Sequence, residues 1–123
     1  MRPLIDRYID AYNRIDIDAM LLTLHPGIVF ENLSGGTLNL RVQGIPEFER
    51  LARSTAPLFS ARRQIITAYS QVGDTATAHI LFDGTFALDL PNGVRAGQSI
   101  SMPGRSEFRM HDGLLIYIAD HSD

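Results

Sequence analysis

The chain has 123 residues, 45% hydrophobic and 20% charged, with a formal net charge of −3. That fits one soluble globular domain, residues 1–123, with a single core, and the mildly acidic balance gives no electrostatic case for nucleic acid or an anionic membrane surface. There is no cysteine and all eleven basic residues are arginine, which excludes thiolate chemistry and a lysine Schiff base and leaves any proton transfer to Asp, Glu, His or Tyr.

The opening MRPLIDRYID carries charges inside its apolar pattern, unlike a signal peptide, and no apolar run reaches membrane-spanning length. A cytoplasmic location is therefore expected. Residues 3 to 13 read as a helix, with Leu4, Ile5, Tyr8, Ile9 and Tyr12 recurring at helical spacing. Asp16 then suits the N-cap of a second helix, whose stripe is Ile17, Met20, Leu21 and Leu24 and which His25-Pro26-Gly27 ends. A strand over residues 28–33 puts Ile28, Phe30 and Asn32 on one face, and Ser34-Gly35-Gly36 turns into an alternating stretch, 38–43. Gly44-Ile45-Pro46 opens a short helix to about residue 55. Arg62-Arg63 suggests a phosphate clamp, but neighbours on a strand point to opposite faces, so both are read as solvated or interfacial.

Three long strands follow, at 61–72, 75–90 and 94–110, joined by a tight turn at Gly73-Asp74 and by an Asn92-Gly93 hairpin. Counting out from Asn92-Gly93 pairs Phe82 with Pro103 and sets Arg105 and Glu107 on the face of Ile80 and Phe82. The apolar set of that strand is instead Ile100, Met102, Phe108 and Met110. One bulge, near Gly84 or Gly97, removes the conflict and sends Arg105 and Glu107 to the convex face. A three-residue loop, His111-Asp112-Gly113, then pairs Phe108 with Ile116.

The last strand, Leu114 to Asp120, is apolar in both alternating sets: Leu115, Tyr117 and Ala119 on one side, Leu114, Ile116 and Ile118 on the other. It is expected to be covered on both faces. Asp120 continues the row of Ile116 and Ile118, where a carboxylate must find a partner or carry a raised pKa. The four histidines, at 25, 79, 111 and 121, have no metal-binding spacing, and no phosphate-binding glycine loop is present. No metal site and no cofactor are expected. The element order, two helices, a strand, a short helix and an antiparallel meander, is an α+β layout.

RYIDAYNRIDIDAMLLTLHPGIVFEN, GIPEFERL and HDGLLIYIADHSD together resemble the nuclear-transport-factor-2-like superfamily, and within it the SnoaL-like, polyketide cyclase-like branch. The resemblance implies a cone: a strongly curved, mostly antiparallel sheet wrapped around N-terminal helices, an internal apolar cavity, and a homodimer through the convex face. It also offers matches by position. Tyr8 matches the helix tyrosine of ketosteroid isomerase, while Asn32 and Gly104 stand where that enzyme has its two aspartates, which argues against steroid isomerisation. Asp120 and Asn32 match two of the water-holding residues of limonene epoxide hydrolase, whose tyrosine, arginine and second aspartate are replaced by Phe30, Ile80 and Phe82. Asp120 also resembles the acid/base aspartate of the SnoaL-type cyclases.

On this reading Asp120, Asn32 and Tyr8 are the candidate catalytic residues, and Tyr12, Phe30, Ile80, Phe82, Met102, Phe108 and Ile118 line the substrate cavity. Two functions fit. One is a cofactor-free isomerase, aldol-type cyclase or hydrolase acting on a small apolar molecule. The other is a non-catalytic ligand-binding or accessory domain in which Asp120 is satisfied by its neighbours. A protein-interaction module ranks behind both.

Overall fold

The computed structural model describes residues 1–122. Two helices, α1 (Arg2–Asn13) and α2 (Ile17–Leu21), lead into β1 (Leu24–Ser34) and β2 (Thr37–Gln43). Helix α3 (Ile45–Thr55) and a 3-10 turn (Ala56–Leu58) follow, then β3 (Phe59–Val72), β4 (Thr75–Phe86), β5 (Ser99–His111) and β6 (Leu114–Ser122). The six strands form one sheet in the order β2-β1-β6-β5-β4-β3. Among the described residues only β1 and β6 run parallel. β2 and β3 are its edges, so the sheet is curled and not closed. The α+β cone expected from the sequence is the fold observed.

Helix α1 lies inside the curl against β3 and β6, and α3 lies on β1. Leu4, Ile5, Tyr8 and Ile9 of α1 meet Ile28 and Phe30, Phe48 of α3, Ala76, Ala78 and Ile80, and Phe108, Leu115 and Ile118. Asp16 caps α2 as its sequence position suggests, accepting from the Ala19 amide at 3.0 Å. Between the helices Ile15 takes φ 54°. This lets the Asp16 amide reach Ala11 O at 2.9 Å and the Ile15 amide reach Tyr12 O at 3.0 Å, closing the end of α1.

Several sequence readings change. Helix α2 stops at Leu21, and Leu24 already pairs with Leu115 in β1. His25-Pro26-Gly27 therefore lies within the strand, in a bulge where residues 25–28 face Ile116 alone. At the tip beyond β4, the Leu90 amide donates to Val94 O at 2.8 Å around Pro91-Asn92-Gly93, with Gly93 at φ 94°. This loop is one residue longer than a two-residue Asn-Gly turn. The bulge expected near Gly84 or Gly97 is also present, at Gly97: Phe86 O accepts from the Gly97 amide at 2.7 Å, the Phe86 amide donates to Gln98 O at 2.9 Å, and Gly97 takes φ 86°. Below it β4 and β5 run without a shift, Phe82 opposite Met102 and Ile80 opposite Gly104. The regular strands also end earlier, at Phe86 and Ser99.

The β5–β6 turn is a two-residue Asp112-Gly113 with φ 53° and 76°, both positive as a type I′ hairpin turn needs. The register then slips between Arg109 and Met110 and leaves Ile116 without a β5 partner. This extra residue reverses the phase of β6. Leu115 joins Ile118 in the core instead of facing away with Tyr117, and Phe108 pairs with Ile118, not Ile116. Among the described residues no helix is long and apolar enough to cross a membrane.

Candidate functional site

The site begins with a row across the sheet. Asn32 on β1 pairs with Asp120 on β6, Asp120 with Ser106 on β5, and Ser106 with Ala78 on β4. The row beside it is Phe30, Ile118, Phe108 and Ala76. Residues in one such row share a face, so the polar trio ends an apolar floor. Ser106 Oγ donates to Asp120 Oδ1 at 2.6 Å. Asp120 keeps part of its surface open to the cavity, yet protein surrounds the carboxyl. Burial pushes its pKa above the usual carboxylate value, while the Ser106 hydrogen bond and nearby His121 pull it down. Among the described residues no basic side chain forms a salt bridge with it.

Helix α1 supplies the roof. Tyr8 and Tyr12 are one turn apart and so point the same way. Tyr8 is buried and packs edge-on against Phe48 and Phe108, at 6.5 and 6.3 Å between ring centres. Burial raises the Tyr8 phenol well above its ordinary value, and the Asp120 charge adds to this. Tyr12 is raised by burial, with Arg62 opposing. The end of α1 is pinned to β3 by Asn13, whose Oδ1 accepts from the Gln64 amide at 2.7 Å and whose Nδ2 donates to Gln64 O at 3.1 Å.

Arg62 corrects the sequence reading. It is neither solvated nor interfacial but 6% exposed, with its guanidinium inside the cone. Its Nε donates to Tyr12 O at 2.8 Å, and its Cζ lies 3.8 Å from the centre of the Tyr12 ring. Arg63 is exposed. The alternation rule that excluded a shared clamp also requires one of the pair to face inward. Arg62 is in phase with Ile66, which packs on the core, and that was the available signal.

Two lobes meet at Tyr12 and Asp120, which line both. The inner lobe, about 70 Å³, is bounded by Tyr8, Tyr12, Met20, Phe30, Phe48, Arg62 and Asp120. The outer lobe, about 200 Å³, is bounded by Tyr12, Asn32, Gln64, Ile80, Phe82, Met102, Ser106 and Asp120. Of the predicted wall, Tyr12, Phe30, Ile80, Phe82 and Met102 thus border a lobe. Phe108 and Ile118 do not: they are 1% and 0% exposed and pack beneath it. Gln64 and Ser106 were missed because a single Gln or Ser on a strand carries no pattern of its own.

The opposite face of the sheet holds the charges. Tyr117 donates to Glu31 Oε1 at 2.5 Å, and burial with that carboxylate pushes its phenol to about 12. Arg109 sits 4.5 Å over the Tyr117 ring. His121 Nε2 lies 3.0 Å from Glu107 Oε1, and Arg105 is 3.9 Å from the same oxygen. At the surface the bulge of β1 and the β5–β6 turn bring His25, His111 and Asp112 together, with donor atoms within 4.8 Å of one another. Residues so far apart in sequence give no motif spacing.

The cavity therefore has a carboxyl, two phenols and one fixed cation around a small space. Comparison with curated protein sequences gave no significant match. Solved structures are similar over nearly the whole chain. A candidate polyketide cyclase of Xanthomonas campestris pv. campestris superposes with a TM-score of 0.84 at 21% identity, covering 99% of this chain and 89% of that one. A candidate hydroxylase of Streptomyces galilaeus gives 0.77 at 18%, covering 97% and 85%. A hypothetical protein of Catenulispora acidiphila with a ketosteroid isomerase-like fold, solved with trimethylamine, gives 0.78 at 12%, covering 95% and 82%. At such identities these likenesses speak for the fold alone. The SnoaL-like domain model, however, matches residues 5–118, and the chain belongs to the SnoaL-like domain family.

Proposed function

We propose that the protein is a cofactor-independent acid/base enzyme acting on a small, largely apolar molecule, with Asp120 as the proton carrier. The observation that supports this most is the state of Asp120. Its carboxyl is enclosed, has a raised pKa, pairs with no cation among the described residues, and borders both lobes of the cavity. A carboxyl tuned toward neutrality exchanges protons more readily at physiological pH than an ordinary one. In an enolisation, Asp120 takes a C–H proton next to a carbonyl, and the electron pair moves onto the carbonyl oxygen. In this reading Tyr8 and Tyr12, which line the inner lobe, donate hydrogen bonds to that oxyanion, and Asn32, on the outer lobe, orients the carbonyl or a water. Return of the proton to another carbon is isomerisation. Attack of the enolate carbon on a second carbonyl is aldol-type cyclisation. The candidate cyclase among the structural neighbours fits this chemistry. In the hydrolase variant Asp120 takes a proton from a water held by Asn32 as the water oxygen attacks an ester carbonyl, and on cleavage of the C–O bond passes that proton to the departing alkoxide.

The test uses 2-tetralone in D₂O, followed by NMR. Wild type is expected to accelerate α-proton exchange, with Asp120 contributing about 10²–10⁴-fold. Asp120→Asn should return the rate to background while ketone binding persists. Exchange retained in that variant rejects the assignment.

A second reading is supported by the Ser106–Asp120 hydrogen bond, which satisfies part of the carboxyl within the protein. The cone then holds a ligand without converting it. A homodimer through the outer sheet face and a cytoplasmic setting complete the proposal. That face carries Glu31, Tyr117 and Arg109, so a partner there meets rings and charges more than an apolar strip. Sedimentation at micromolar concentration decides between monomer and dimer.

A further inference from the structure

We propose that Arg62 is an anion-binding residue of the inner lobe and that the natural ligand is a small organic acid, its carboxylate on Arg62 and its apolar body reaching toward Asp120. The inference rests on the proposed enzyme only for the statement of which end reacts. The binding site itself stands on separate observations. Arg62 is 94% buried, the complement of its 6% exposure, and forms no salt bridge among the described residues. A guanidinium taken out of water without a counter-ion is costly. What holds it is partial. Nε bonds the Tyr12 carbonyl, which also accepts from the Ile15 amide at the negative end of α1. The Tyr12 ring lies against its face, and Nη2 has only the Met20 sulfur at 3.9 Å. Nη1 donates to nothing among the described residues. Arg62 lines the inner lobe, where a carboxylate could take two parallel hydrogen bonds from its guanidinium.

The surroundings fit an acid with an apolar body. Phe30, Phe48 and Met20 wall the lobe beside the guanidinium. Asp120 lines the same lobe without an ion pair to Arg62 among the described residues, and Tyr8 and Tyr12 line it as well. An anion seated on Arg62 therefore shares a lobe with the Asp120 carboxyl.

The experiment is calorimetric titration with benzoate and with its neutral isostere benzamide. Benzoate is expected to bind at least about tenfold more tightly to wild type, and Arg62→Gln to abolish the preference. Arg62→Lys should keep part of it, since charge remains without the fork. Because Arg62 also braces α1, the Nε–H resonance of Arg62 in folded wild type is followed as well, and it should shift on titration with benzoate. Equal affinities, no measurable benzoate binding at millimolar concentration, or an unmoved Arg62 resonance each overturns the proposal. Asp120→Asn separates it from the catalytic reading. Preference for benzoate with no α-proton exchange in wild type leaves the anion site standing and rejects the enzyme. Exchange without that preference does the reverse.

Discussion

Ser106 and Asp120 face each other across the β5–β6 pair, with the serine hydroxyl donating to the carboxylate over 2.6 Å. This bond favours the charged form and so opposes the burial that raises the Asp120 pKa. Ser106→Ala is expected to raise that pKa further and move the acidic limb of the pH–rate profile for 2-tetralone exchange to higher pH. It should also cost roughly 1–3 kcal/mol of stability, as for a hydrogen bond to a buried charged group. Denaturant unfolding at neutral pH measures the second effect.

The Asp120 shift has a consequence for stability. A carboxyl whose pKa is higher folded than unfolded prefers to be protonated in the native state. Its contribution is fully present below the unfolded value, near the ordinary 3.8, and is lost as the pH rises through the raised folded value. Asp120→Asn removes this burden. The variant is expected to melt above wild type at neutral pH, with the gap closing as the pH falls toward the ordinary carboxylate range. A variant that melts lower at neutral pH means that contacts specific to the carboxylate outweigh its burial, and favours the ligand-binding reading.

Most of the fold follows from local pattern. The stripes of α1 and α3 and the Asp16 cap act over a few residues, so they can be read without tertiary information. Asn32 and Asp120 were also readable, as single polar residues ending apolar rows. Register is different, because one residue reverses every face beyond it. The three-residue tip at Pro91-Asn92-Gly93 and the unpaired Ile116 each insert one such residue, and neither has a sequence signature. Arg62 was missed for a related reason. Its hydrogen-bond partner is the Tyr12 carbonyl, 50 positions away, and a backbone acceptor leaves no mark in the sequence.

Ile15 offers a test of strain. It joins α1 to α2 at φ 54°, a left-handed conformation that crowds a β-branched side chain and that glycine adopts freely at the end of a helix. Relief of that crowding is worth roughly 1–2 kcal/mol, offset in part by the greater freedom of glycine in the unfolded chain. Ile15→Gly is therefore expected to leave stability unchanged or raise it by up to about 1 kcal/mol, read as a higher melting temperature. A clear loss means that Ile15 contributes apolar contacts that outweigh the strain.

Phe108 and Met102 lie on the same strand and were both assigned to the cavity wall, yet they should respond in opposite ways. Phe108 is 1% exposed and packs against Tyr8, so Phe108→Ala removes a ring from a filled interior. A loss of about 3–5 kcal/mol is expected. Ligand binding should fail only as the protein unfolds, because Phe108 does not border either lobe. Met102 is 37% exposed and borders the outer lobe. Met102→Ala should change stability by no more than about 0.5 kcal/mol while weakening 2-tetralone binding to a fully folded protein. Denaturant unfolding and ligand titration on the two variants separate the roles. Intact stability in Phe108→Ala would mean that the floor beneath Asp120 can collapse to fill the gap, and reduced stability in Met102→Ala would assign the methionine to packing and not to the ligand.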